Sequence, residues 1–501
     1  MNLLTDPWIP IQEKGLFEKI TLQQLHCGEK TGEICLPRDD MELACLQLLC
    51  AITQVLFTPK NKRELGHYVK QPLAQDDYQT AIQGKLDWFD LDHPETPFMQ
   101  FRGVKAKEAT PMDKLMAGLS GGENKVFVNE MGLADNLCSG CVAIALFNSA
   151  NNCPNVGGGN LGGFKAGLRG STPITLLIQG RNLRETIWLN VLTEETLNRV
   201  MPWYDETKDM PPNYIKPVKA REKISVSEIG LARGLLWQPA RYELFSSNKL
   251  DVCSCCGLKE TVYDGFKKEQ FGYTIEGVWP HPLSSRTFSI KKKKEEFPSF
   301  TTTAPTWTHM SRLLIDRQSD KEGQQAAPII QQARTFIASA KLQIIIGGYR
   351  NNQATILERR HELFSLAQGW HEHGEVIQQI IHYGLEYKKA LRKALYLFAV
   401  GIKDKVHGSG VNLCDPVEAN YYQQTEGLLH TRFASVHFEQ PDKDLTQLKQ
   451  QLKTVVKKLF DLATEPYQQE PKMIKALAMA RRSLHKSLKD LEPQGEPHDK
   501  N

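Results

Sequence analysis

The chain has 501 residues, 41% hydrophobic and 24% charged, a balance that belongs to folded globular proteins and excludes disordered, collagen-like and membrane-spanning classes. That length accommodates two large domains or about three ordinary ones. Lysine and arginine number 62 against 58 acidic residues, a net charge of +4, so any basic surface must be local and charge alone identifies no nucleic-acid partner.

Met1-Asn2-Leu3-Leu4-Thr5-Asp6-Pro7 has neither the basic nor the apolar region of a secretory signal, which predicts a cytoplasmic protein. Eleven cysteines then point to metal binding or burial rather than to disulfides. The first clear helix is expected after Pro37-Arg38-Asp39-Asp40, with an aspartate capping its free amides and Leu43, Leu46, Cys50 and Val55 on its buried face. The apolar stretch from Leu43 to Pro59 includes Gln47, Thr53 and Gln54 and is too short to cross a bilayer, so it reads as core. Two Cys-x-x-Cys pairs follow, Cys138-Ser139-Gly140-Cys141 and Cys253-Ser254-Cys255-Cys256. Four thiolates suit a structural tetrahedral zinc (Zn2+) if the fold closes the long gap between the pairs. Otherwise they are two unrelated loops with free thiols, and Cys255 is a spare in either case.

The segment Gly157-Gly158-Gly159-Asn160-Leu161-Gly162-Gly163-Phe164 lets backbone approach a phosphate or a groove edge closely. Phe164 stands where an ATP-binding loop needs lysine. A flexible surface loop and, through Lys165 and Arg169, a polyanion contact are both open. Apolar runs at Pro173–Ile178 and Leu342–Ile346 alternate with glycine- and proline-rich turns, which predicts a mixed α+β domain. Phe266-Lys267-Lys268-Glu269 reads by itself as surface charge. Gly347-Gly348-Tyr349-Arg350-Asn351-Asn352-Gln353 passes from a strand through a turn into a helix expected near Thr355. Its amide side chains suit either base edges or a helix cap.

Beyond Asn352 the expected elements are helices at Ile356–Gly369, Val376–Val400, Val417–Leu429, Leu445–Leu462 and Met473–Leu491. The last four are expected to pack antiparallel as a four-helix bundle, with the first as the link between domains. The expected division is an α+β domain over 1–365 and an all-α bundle over 366–501. Lys388, Lys389, Arg392 and Lys393 form either a track for a nucleic-acid strand or a solvated helix face. His-Glu-x-x-His, Walker, kinase, nucleophile-elbow and His-Asn-His patterns are absent, so catalysis is not expected.

Leu36-Pro37-Arg38-Asp39-Asp40-Met41-Glu42-Leu43, Gly157-Gly158-Gly159, Trp279-Pro280-His281-Pro282 and Gly347 through Gln353, in that order, give the chain a full-length resemblance to the CasA family, the large subunits of type I-E CRISPR Cascade complexes. The resemblance implies a non-catalytic subunit that recognises the protospacer-adjacent motif (PAM) of double-stranded DNA through the minor groove. It further implies that the subunit starts strand separation for R-loop formation and helps recruit the nuclease-helicase. The implied partners are the other Cascade subunits, CRISPR RNA, target DNA and that effector, with no membrane. By the same resemblance Gln353 is a wedge flanked by Asn352 and Ala354, and Lys268 is a finger in the minor groove. Gly157, Gly158, Gly159, Gly162 and Gly163 form a glycine loop at that groove. Phe127, Val128 and Asn129 begin a long loop, through Asn136, near the RNA 5′ handle, and Cys138, Cys141, Cys253 and Cys256 hold zinc. The chain departs from the family where Asn160-Leu161 divides the glycines and where Glu130, Met131 and Leu133 enter the long loop. The rival readings are a purely architectural ribonucleoprotein subunit and a zinc-dependent nuclease.

Overall fold

Strands β1 (Ile9–Glu13) and β2 (Leu16–Ile20) form a hairpin because Lys14 and Gly15, the two residues between them, both take positive φ and match the twist of the strands. This computed structural model describes the chain apart from residues 29, 31, 107, 120–133, 155–166, 270, 271, 292, 320, 338, 339, 353, 354 and 493–501 and the side chains of 247 and 248. One unit comprises Met1–Thr302, Arg312–Phe336 and Gln343–Leu363; the other comprises Thr303–Ser311, Ile337–Leu342 and Phe364–Asn501.

In the first unit helix α1 (Asp39–Leu56) is buried on nearly every side. The expected aspartate cap falls one position early: Arg38 is the N-cap and makes no side-chain cap bond, while Asp39 and Asp40 occupy the first turn, where their charge faces the free amides. Its polar residues are bonded inside the core, as where Gln54 exchanges two hydrogen bonds with the backbone of Leu192. Strand β3 (Leu137–Cys138) leads into helix α2 (Ser139–Asn151), also largely buried. Strand β4 (Thr175–Ile178) follows, then the long antiparallel pair β5 (Arg241–Val252) and β6 (Lys259–Glu269), and finally β7 (Leu342–Asn352) and β8 (Thr355–Leu366), which belong to this unit from Gln343 and as far as Leu363. One sheet has the order β8-β7-β4, and in another β3 and β5 both pair with β6.

Two glycines allow β7 its place. A Cβ at Gly347 would lie 2.5 Å from Leu43 Cδ2 and 2.8 Å from the Arg360 carbonyl, and one at Gly348, whose φ is +149°, would lie 3.0 Å from the Pro173 carbonyl.

The helix expected at Ile356–Gly369, and its start near Thr355, are overturned: Thr355–Leu366 is strand. Ile356, Arg360 and Phe364 are buried, a spacing of four that fits a helical face and equally the even positions of a strand. Arg360 occupies an inward position because Glu358 and the Thr302 carbonyl take its donors and Phe300 packs under its guanidinium.

The second unit contains α3 (Gly374–Val400), α4 (Cys414–Ser435), α5 (Asp442–Thr464) and α6 (Ile474–Asp490), matching the four later helices expected. Helix α3 packs against each of the other three through a stripe that includes Val376, Ile380, Tyr387, Leu391 and Phe398. No described helix is long and apolar enough to cross a membrane. The architecture is therefore α+β followed by helices.

Candidate nucleic-acid interface and metal centre

The pairing of β3 with β6 closes the long gap between the cysteine pairs. Leu137 and Cys138 lie opposite Tyr263 and Val262, and Ser254 and Asn136 exchange hydrogen bonds beside them. The Sγ atoms of Cys138, Cys141, Cys253 and Cys256 consequently lie within 4.8 Å of one another, so these four residues could hold a metal ion. Gly257, at φ +74°, turns the second knuckle back on itself. Hydrogen bonds from Cys138 and Cys141 hold Cys253 well below the ordinary thiol range and bring Cys256 down to about 7. Cys138, the N-cap of α2, is itself held above the ordinary thiol range: a hydrogen bond from Cys141 opposes this, but the bonds to Cys253 and Cys256 and burial outweigh it. Lys19, a residue with no motif to announce it, places its buried ammonium 3.1 Å from Cys138 Sγ and 2.5 Å from Glu260. Burial opposes that charge, but Cys138 and Glu260 outweigh it and hold the ammonium above its ordinary value. Cys255 is buried beside the cluster and is not one of the four.

The opposite end of α2 gathers the supports of three distant segments. Ser149 Oγ lies 3.3 Å from the hydroxyl of Tyr242, the β5 residue directly opposite Lys268. Asn148 Nδ2 donates to the hydroxyl of Tyr349, three residues before Asn352 on β7, at 2.8 Å. The Asn151 carbonyl and Asn152 Oδ1 accept from Arg169 at 3.2 and 2.6 Å, which joins the two flanks of the glycine-rich stretch. Thr172 adds another tie by donating to Asn351 Oδ1 at 2.7 Å. It holds φ at +46°, costly for a β-branched residue and maintained by its buried surroundings.

Of the expected nucleic-acid contacts, Lys268 is half-buried on β6, and Asn352 is exposed at the end of β7. Burial, and then the charge of Lys114, holds the Lys268 ammonium below its ordinary value. Gln353 and Ala354, Gly157, Gly158, Gly159, Gly162 and Gly163, and Phe127, Val128 and Asn129 lie outside the described residues. The polyanion contact open to Arg169 is overturned, because its guanidinium is 2% exposed and bonded to Gln47, Asn151, Asn152, Thr175 and Ser284. The track of Lys388, Lys389 and Arg392 is likewise largely neutralised: Lys388 and Arg392 pair with Glu418, Arg392 also with Asp415, and Lys389 with Glu386. Lys19, Lys114, Asn148 and Tyr242 were not anticipated; only the cluster Asn148, Asn151 and Asn152 at one helix end offered a signal.

The family model described as CRISPR-associated protein Cse1 matches residues 2–464. A CRISPR-associated protein CasA/Cse1 of Thermus thermophilus is 22% identical over 474 residues, covering 87% of this chain and 88% of its own. Among solved structures, a CasA of Thermus thermophilus matches with a TM-score of 0.75 at 20% identity, covering 98% of this chain and 100% of that one. Cse1 of Thermobifida fusca matches at 0.73 and 18%, covering 98% of each chain. A chain of a CRISPR RNA-guided surveillance complex matches at 0.69 and 14%, covering 97% and 99%. At these identities the solved structures establish a shared fold.

Proposed function

The chain belongs to the Cse1 family of CRISPR-associated proteins, and from that premise we propose that it is a non-catalytic subunit of a CRISPR RNA-guided surveillance complex that reads the PAM of double-stranded DNA and begins its opening. Its partners on this reading are the other Cascade subunits, CRISPR RNA, target DNA and the nuclease-helicase that it helps recruit, all in the cytoplasm.

The observation that supports this most is the convergence on the C-terminal end of α2 of the supports for Lys268, for the flanks of the glycine-rich stretch and for the end of β7 at Asn352. Burial and then the charge of Lys114 disfavour the Lys268 ammonium, and an approaching phosphate would favour it. A lysine and a glycine-rich backbone at the minor groove would accept several related motifs, because that groove separates little beyond A·T from G·C. Opening needs only to be started by Gln353, since each lost DNA step, about 1.4 kcal/mol, is replaced by a similar RNA–DNA step.

Zinc fits the four cysteines. Thiolates about 2.3 Å from a tetrahedral ion stand about 3.8 Å apart, and Cys138 and Cys256 Sγ are 3.7 Å apart. Four protein ligands leave no position for water or substrate, so the ion would tie the β3 and β6 knuckles together, and the nuclease reading loses its premise.

The test uses the assembled complex. Gln353→Ala and Lys268→Ala are expected to weaken binding of motif-bearing duplex while assembly and single-stranded target binding persist. Unchanged duplex affinity in both variants would favour the architectural reading, and metal-dependent DNA cleavage by the purified chain, abolished by one substitution, would favour the nuclease.

A further inference from the structure

A continuous file of hydrogen bonds crosses the interior of the first unit. Arg169 Nη2 donates to Asn152 Oδ1 at 2.6 Å, and Asn152 Nδ2 to Asn148 Oδ1 at 2.9 Å. Asn148 Nδ2 donates to Tyr349 Oη at 2.8 Å, and Tyr349 Oη to Asp40 Oδ2 at 2.7 Å. Asp40 also receives Arg38 through two bonds, at 2.9 and 2.6 Å. All six residues are less than a tenth exposed.

The file has one direction. It starts at a guanidinium and ends at a carboxylate, and each amide turns its oxygen toward Arg169 and its NH2 toward Asp40, so reversing any one of them would set donor against donor. The other bonded partners of Arg169 are neutral: Gln47, the Asn151 carbonyl, Thr175 and Ser284. A buried cation held by neutral dipoles is costly, and although Arg169 Nε and Arg38 Nη1 are buried without a partner, the directed bonds of the file select one arrangement of the elements that supply them.

Those elements flank the two segments of interest, residues 155–166 and 353–354. Asn152 and Arg169 lie on either side of residues 155–166, and Tyr349 stands three residues before Asn352 on β7. We propose that this polar file sets the spacing between Asn152 and Arg169, which flank the glycine-rich stretch, and Asn352, which makes Arg169, Asn148 and Tyr349 positioning residues for PAM recognition. The proposal rests on the function above: two segments sharing one groove must keep their separation for either to reach its base step.

The experiment compares Tyr349→Phe with the parent in the assembled complex, using motif-bearing duplex, duplex with an altered motif, and single-stranded target, which requires neither motif nor opening. Removing one hydroxyl from a buried file is expected to weaken motif-bearing duplex about tenfold and to compress the ratio between the two duplexes, with single-strand affinity unchanged. A merely structural role would lower all three together, in proportion to the folded subunit. Thr172→Val, which removes only the tie to Asn351, is expected to give the same pattern more weakly and serves if Tyr349→Phe fails to assemble. Parental duplex affinity and motif ratio in the assembling variant, alongside a defective Gln353→Ala, would overturn the positioning role and leave DNA recognition standing. Parental behaviour of Gln353→Ala and Lys268→Ala as well would overturn both.

Discussion

Replacing Lys19 with methionine isolates one charge beside the four cysteines. The methionine keeps most of the buried stem, so packing changes little, but Cys138 loses an ammonium at 3.1 Å. At an effective dielectric of about 20 that attraction is about 5 kcal/mol, and the dehydration of the ammonium offsets much of it. The net loss should resemble that of a charged hydrogen bond, about 1.5–3 kcal/mol. Glu260, the other partner, is 34% exposed and can be rehydrated, so it adds little. Four thiolates around a divalent ion carry two surplus negative charges, and the variant leaves them without this counterion. Zinc affinity should therefore fall about ten- to a hundredfold, the usual range for a residue that orients and charges a ligand. Competition of the purified chain against a chromophoric chelator reads this directly, with Lys19→Arg expected to retain most of the affinity. Parental zinc affinity in Lys19→Met would refute the electrostatic argument, and a parent chain that binds no stoichiometric zinc would remove its premise.

Three further outcomes are expected. Lys268→Met should lower the slope of log affinity against log salt for motif-bearing duplex by about 0.9, the share of one phosphate contact; an unchanged slope in a titration from low to moderate salt would place Lys268 away from the backbone. His26 is buried against Trp188 and Phe57, and burial, then Arg184, depress its pKa to about 3. The unfolded chain thus binds the extra proton first, and this stability is complete above about pH 6.5 and lost as pH falls toward 3. Moving from pH 7.5 to 5.5 should cost about 1.4 kcal/mol through this group, and His26→Gln should flatten the pH dependence of the urea midpoint followed by tryptophan fluorescence. In the second unit a Cβ at Gly384 would lie 2.7 Å from the Trp307 ring. Gly384→Ala should therefore destabilise the helices by about 1–3 kcal/mol despite its better helix propensity, and a raised melting temperature would contradict that packing.

What could be read from residues alone follows the range of the interactions involved. The Cys-x-x-Cys pairs and the four later helices are local patterns, visible in a few turns of chain, and each was legible. Strand β8 was not, because Ile356, Arg360 and Phe364 satisfy both periods and only the partners of Arg360 decide between them. Arg169 looked like a surface cation because no local signal marks the five residues, from Gln47 to Ser284, that enclose it. Lys19 and Lys114 escaped notice for the same reason: each acquires meaning from a strand far away in the chain.

Helix α2 works as a girder with both ends bolted, one at Cys138 and Cys141, the other at Asn148, Ser149 and Asn151. Adding a single residue within it would turn everything beyond by about 100° and advance it about 1.5 Å, unseating both tyrosines at once. Residues added between Asn152 and Arg169 need not shift these bolts. On the proposed function, the segments that would meet DNA could therefore change in length without disturbing these ties, whereas the girder itself could not.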